Sequence, residues 1–178
     1  MIDVINDLDD VGEDLLNEAL PAARRIAKLK RRAKAAGVPA IYVNDNFGRW
    51  QSDFQSLIKH VLKEGGKGRA LVQLLRPEED DYFILKPKYS GFYSTTLDLL
   101  LRHLGVRRLI LTGFAGNICV LFTANDAFLR DYDLLVPSDC TASNTHEENE
   151  QALSLMRTVL KAETTSSVEI DLEALVVA

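Results

Sequence analysis

Short apolar runs of strand length alternate along this chain with segments whose apolar residues recur at helical spacing, and few folds accommodate that alternation. The runs are Met1–Ile5, Ala40–Asn44, Tyr82–Leu85, Arg108–Thr112 and Leu134–Val136. Most are apolar without a break, which suits strands buried on both faces of a parallel sheet. Between them, helices are predicted over about Glu13 to Ala36, Asp53 to Lys63, Thr95 to Leu104, Asn117 to Arg130 and Thr145 to Lys161. In the first, Leu16, Leu20, Ala23, Ile26, Leu29, Ala33 and Ala36 keep one face apolar, and Gly37 and Pro39 stop it. Thr95 with Asp98, and Thr145 with Glu148, are spaced as capping boxes. Strand, helix, strand with short connections predicts a doubly wound α/β fold, in which a mostly parallel sheet of about six strands lies between two helical layers. Val168–Leu172 alternates and is read as a further strand or as an arm docking on a partner subunit.

With 178 residues the chain is expected to form one domain over residues 1–178, burying roughly 70% of its unfolded surface. A 47% apolar and 26% charged composition is too hydrophobic for disorder. No apolar run approaches the ~20 residues of a membrane span and no signal-peptide pattern opens the chain, so no membrane partner and a cytoplasmic location are expected. The two cysteines, Cys119 and Cys140, are read as free thiols. A net charge of −5 argues against nucleic acid as partner. The basic run Arg24, Arg25, Lys28, Lys30, Arg31, Arg32 and Lys34 is therefore read as the solvated face of the first helix. The expected partner is a small-molecule substrate.

In a doubly wound sheet, ligands bind beyond the carboxyl ends of the strands. Three reactive side chains fall there: Asp3 closes the very short first strand within Met1–Ile5, Lys86 follows the third run, and Cys119 lies in the first turn of the helix after the fourth. A thiol in a first helical turn meets unpaired N–H groups and the positive dipole end, which favour thiolate, and a nearby Lys86 would act in the same sense. Cys140, by contrast, reads as a small core hydrophobe.

Around these residues the sequence resembles the isochorismatase-like cysteine hydrolases. Ile2-Asp3-Val4-Ile5-Asn6-Asp7 is similar to that family's first-strand motif, and Lys86-Pro87-Lys88-Tyr89-Ser90-Gly91-Phe92 to its K-x-x-x-S-A-F block. Gly113 to Val120 is similar to its nucleophile loop, and Thr123-Ala124-Asn125-Asp126-Ala127 continues that block. The resemblance implies Cys119 as nucleophile, Asp3 as proton acceptor and Lys86 as the cation holding both. It also implies a cis Phe114–Ala115 peptide, an oxyanion hole from the Ala115 and Cys119 N–H groups, no cofactor, and a homo-oligomer, dimer or tetramer. The leading activity is cleavage of a small amide or carbamoyl C–N bond through a thioester. The alternatives are isochorismate-type vinyl ether hydrolysis and a degenerate binding protein.

Two departures stand out. Asp45-Asn46-Phe47 has Phe where the metal-binding nicotinamidase branch has His, and His60, His103 and His146 lack ligand spacing, so no metal is expected. Gly116 replaces the Thr common three residues before the cysteine. Asp45, Phe47, Trp50, Tyr89, Phe92 and Asn117 are the candidate substrate contacts, with Phe114 as a further aromatic of an apolar pocket. Only Met1 and Ile2 precede Asp3, so its anchoring is expected to be weak.

Overall fold

The computed structural model describes residues 1–6, 13–48, 50, 53–62 and 67–177. The first helix, α1 (Glu13–Ala35), buries Leu15, Ala19, Ala22, Ile26, Leu29 and Ala33 along one stripe, and its alanines allow close approach to the sheet. It stops at Gly37, whose φ of +79° an L side chain rarely adopts. The Gly37 N–H donates to Lys34 O (3.0 Å) and the Val38 N–H to Ala33 O (2.8 Å), the paired bonds of a Schellman end.

The chain then enters β1 (Ile41–Asp45), which pairs in parallel with β2 (Tyr82–Lys86) from Ile41↔Tyr82 to Asp45↔Lys86. Helices α2 (Phe54–Val61) and α3 (Arg69–Leu74) lie between them in sequence. Next come α4 (Leu97–His103), β3 (Arg108–Ile110), β4 (Gly113–Phe114), a π-helical turn at Gly116–Val120 and α5 (Leu121–Phe128). The chain continues through β5 (Asp133–Leu135), a 3₁₀ turn at Ser138–Cys140, β6 (Thr141–Ala142) and α6 (His146–Thr158). A second 3₁₀ turn (Ser167–Glu169) and α7 (Leu172–Val177) follow. Parallel pairs join β3 to β5 and β4 to β6, and Ile2 bridges both Val43 and Gly113. Glu163 extends the far edge beside Leu135. Laterally the order is β2, β1, Ile2, β3–β4, β5–β6 and Glu163, six parallel lines of chain.

Side chains of adjacent strand residues point to opposite faces, and the core divides accordingly. Tyr42 and Leu135 join α1, α2 and α3 on one face, whereas Val43, Leu134 and Val136 join α4, α5 and α6 on the other. This is the three-layer α/β/α sandwich expected from the alternation.

Several expectations change. The first run contributes a single bridging residue, Ile2, because Asp3 turns to φ +50°. Of the run Arg108–Thr112 only Arg108–Ile110 is strand (β3), Gly113–Phe114 just beyond the run forms β4, and α3 has no sequence signal. Val168–Leu172 is not a strand: it is a 3₁₀ turn leading into α7, with Val168 exposed. Thr95 does not cap α4; its hydroxyl donates to Gly91 O (2.5 Å) and accepts from the Leu97 N–H (3.2 Å). The basic face of α1 is only partly solvated. Lys30 is buried against Asp81 (2.5 Å) and Tyr42 Oη (3.1 Å), and Arg32 donates to Ser167 O and Ile170 O, both at 2.6 Å.

Thr145 does form a complete capping box with Glu148 at the start of α6. Thr145→Ala is expected to lower stability by about 1 kcal/mol, measurable as a shift of the urea midpoint at unchanged slope.

Toward the amino ends of the strands, below Ile2, β1 and β3 part around an apolar cleft of about 810 Å³, lined by Ile41, Leu101, Leu109 and Leu111 among others. Its lining also includes Val43, Thr112 and Thr123. Among the described residues no helix is long and apolar enough to cross a membrane.

Candidate active site

Asp3, Lys86 and Cys119 come together at the carboxyl end of the sheet. Lys86 closes β2 with its side chain wholly buried. Its Nζ lies 2.9 Å from Asp3 Oδ2, 3.3 Å from Asp45 Oδ2 and 3.6 Å from Cys119 Sγ. Asp3 is 4% exposed, and its Oδ1 accepts the Asp45 N–H at 2.6 Å. The expectation of weak anchoring is therefore corrected. Met1 N donates to Ile41 O (2.9 Å), Ile2 N to Thr112 O (2.8 Å) and Asp3 N to Val43 O (2.9 Å), which pins the terminus between two strands. At φ +50° Asp3 occupies a conformation that short polar residues tolerate, and the turn directs its carboxylate toward Lys86 rather than along the sheet.

Cys119 is half-buried within the π-helical turn that precedes α5, so the turn is wider than the α-helical start expected. Ala115 O accepts from both Ile118 N (3.2 Å) and Val120 N (3.1 Å), and the Cys119 N–H lies between these donors in the chain. The Phe114–Ala115 peptide is cis. The Lys86 block is bolted to the Cys119 helix: the Gly91 N–H donates to Thr123 Oγ1 (3.0 Å), Thr123 Oγ1 donates to Cys119 O (2.7 Å), and Ser90 Oγ donates to Asp126. These links explain the pairing of the Ser90 and Thr123–Ala127 blocks in one chain.

The electrostatics correct one expectation. Burial, and then the Asp3 carboxylate, push the Cys119 thiol up to about 12, and Lys86 only partly opposes them. Burial and Asp3 thus oppose the thiolate that helix terminus and lysine alone would favour. Burial raises Asp3 above the usual carboxyl range despite Lys86. Burial works against the Lys86 ammonium, but Asp3, Cys119 and Asp45 together hold it above the usual lysine value. Moving a proton from sulfur to Asp3 leaves the net charge of the trio unchanged, so the buried site favours that exchange over loss of a proton to water.

The remaining candidates separate. Asp45, expected to bind substrate, is occupied within the protein by Lys86 and by the Phe47 N–H (2.7 Å to Oδ1). Phe92 is buried in the core between Arg130 (4.7 Å to its ring) and Tyr132, so it is no pocket wall at the site. Phe114 is likewise core, 1% exposed. Tyr89 stays half-exposed and meets the ring of Phe122, which sequence reading missed, at 5.5 Å beside the Cys119 helix. Phe47 and Trp50 are exposed, Trp50 at 79%. The Asn117 N–H is held by Ser143 Oγ (3.0 Å), while its Oδ1 is buried without a hydrogen-bond partner. Cys140 is fully buried among apolar side chains.

With an α/β/α sandwich and these three side chains at one strand-end edge, the class is that of α/β hydrolytic enzymes. The family follows from comparison. The model of the Isochorismatase domain matches residues 1–168, and the chain belongs to the isochorismatase family of hydrolases. It is 44% identical over 171 residues to the "Uncharacterized isochorismatase family protein YaaI" of Bacillus subtilis (strain 168), covering 96% of this chain and 93% of that protein. It is 33% identical over 157 residues to ureidoacrylate amidohydrolase RutB of Methylorubrum extorquens, covering 75% of this chain and 62% of RutB. The structure of N-carbamoylsarcosine amidase from Thermoplasma acidophilum superposes with a TM-score of 0.73 at 27% identity, covering 96% of this chain and 95% of that one.

Proposed function

We propose that this protein is a cysteine hydrolase that cleaves the C–N bond of a small amide or carbamoyl compound through a thioester on Cys119. The observation that carries the reading is the buried ammonium of Lys86, which touches both Asp3 and Cys119. Amidohydrolase relatives such as RutB and N-carbamoylsarcosine amidase support the choice of bond.

Asp3 takes the thiol proton as Sγ attacks the carbonyl carbon, and the charge that develops on the carbonyl oxygen is accepted by the Ala115 and Cys119 N–H groups. Collapse breaks the C–N bond, and Asp3 returns the proton to the departing amine. Asp3 then takes a proton from water as the hydroxide equivalent attacks the thioester, and the acid product leaves with the thiol restored. Its raised affinity for a proton suits both directions of transfer. Lys86 keeps its charge throughout and holds carboxylate and sulfur in register. Tyr89 and Phe122 offer an apolar wall for the substrate.

Ammonia release from a panel of primary amides and carbamoyl compounds tests the proposal. Cys119→Ala is expected to lower the rate on an active substrate by at least about 10³-fold, with Cys140→Ser unchanged. Turnover that survives in Cys119→Ala would end the covalent mechanism.

A further inference from the structure

The loop presenting Cys119 contains a glycine whose side-chain volume is taken by another residue. A Cβ placed on Gly116 would stand 2.3 Å from Asn149 Oδ1 and 3.1 Å from Ser143 Oγ. Asn149, in the second turn of α6, is 6% exposed, and Ser143 is 1% exposed. The Asn149 amide is oriented by Thr141, since Nδ2 lies 3.3 Å from Thr141 Oγ1 and 3.5 Å from Thr141 O. Its Oδ1 therefore faces Ser143 and accepts that hydroxyl at 3.1 Å. A hydroxyl has one proton to give; with it committed to Asn149, the oxygen presents lone pairs to the Asn117 N–H at 3.0 Å. Asn117 is two residues before Cys119, and without a Cβ at position 116 the backbone between Ala115 and Asn117 has more freedom than in a substituted loop.

The geometry points to Asn149 as a positioning residue for Cys119: with Ser143 it forms a buried relay that anchors the Asn117 N–H and sets the turn presenting the Cys119 Sγ and N–H. This rests on the reading of Cys119 as nucleophile. Gly116 and Asn149 act as a matched pair, the amide filling the space the glycine leaves and supplying a directed acceptor that a methyl group would not.

The test is the rate of Cys119 alkylation by iodoacetamide in the intact chain, followed by mass spectrometry alongside the thermal midpoint. Asn149→Ala and Ser143→Ala are each expected to slow alkylation about tenfold, and the double variant no further, because both cut one relay. In Gly116→Ala/Asn149→Ala the new methyl refills the vacated space. That variant is expected to regain the midpoint lost in Asn149→Ala while alkylation stays slow. Wild-type alkylation in Asn149→Ala, or its full return in Gly116→Ala/Asn149→Ala, would make Asn149 a space-filler and overturn the inference. If Asn149→Ala does not fold, Ser143→Ala decides alone, with wild-type alkylation again overturning it. Absence of amide turnover in the wild-type protein would count against the amidase reading and leave the alkylation comparison intact.

Discussion

Asp3→Asn is expected to lower amide turnover by about 10³-fold while moving the alkylation of Cys119 to lower pH. The two effects have opposite signs because Asp3 has two roles at the sulfur. As the acceptor of the thiol proton and the donor to the leaving amine, its loss removes the proton path. As a buried negative charge beside the sulfur, it is the largest contributor after burial to keeping the thiol protonated. Asparagine preserves shape and removes the charge, leaving Lys86 to favour thiolate unopposed by it. The pH profile of iodoacetamide labelling, measured beside ammonia release, checks both halves. Retained turnover would remove Asp3 from the mechanism, and an unshifted or raised labelling midpoint would show that its charge is not felt at the sulfur.

Lys86→Met should have the largest effect on stability, a loss of about 3–5 kcal/mol near neutral pH, because it strands buried acidic groups without their cation. Asp3 is nearly fully enclosed, whereas a quarter of the Asp45 side chain reaches solvent, so Asp3 dominates the cost. The pH dependence follows from the direction of its shift. Asp3 already holds its proton more tightly in the folded chain than an ordinary carboxyl does, and loss of the ammonium tightens that hold. A carboxyl whose folded pKa lies above its unfolded one adds stability below the unfolded value and loses it as pH rises through the folded value. The deficit of Lys86→Met is therefore expected to be smallest near about pH 4 and to widen toward neutrality. Denaturant midpoints across that range measure it. Asp3→Asn/Lys86→Met should recover much of the loss, and a deficit independent of pH would show that Asp3 is not the stranded charge.

Much of this site was legible before any coordinates. Lys86 could be placed because Tyr82–Leu85 is an apolar run of strand length, and the residue ending such a run in a parallel sheet stands at the binding edge. Cys119 could be placed because Gly113–Gly116 separates a buried run from a helical pattern. Ser90 and the block from Thr123 to Ala127 were visible as motifs, but not that Gly91 and Ser90 hydrogen-bond to Thr123 and Asp126. Spacing within one segment carries no record of contacts between segments 30 residues apart.

The misreadings share that origin. Sequence alone does not separate Phe92 and Phe114 from pocket residues, because aromatic residues near a site have the same composition as aromatic residues under it; only packing against Arg130, Tyr132 or the α1 face separates them. Lys30 looked like a surface charge because its buried partner Asp81 is 51 residues away. The Val168–Leu172 alternation fits a strand, yet among the described residues the segment pairs with no strand and coils into a 3₁₀ turn. Helix α3, six residues long, is too short to show a period.

Local periodicity and punctuation, with the order of the three family blocks, determined the α/β class, the two helical layers, the helix ends at Gly37 and Thr145, and the strand ends where chemistry would gather. Those are short-range properties, set by 3.6- and 2-residue repeats and by which residues tolerate a given backbone. Only the tertiary structure decided that Asp3 is anchored, that burial and Asp3 oppose ionisation of the Cys119 thiol, and that Asn149 occupies the space beside Gly116. Each depends on desolvation or on distances between remote segments, and both arise only when the layers close on one another.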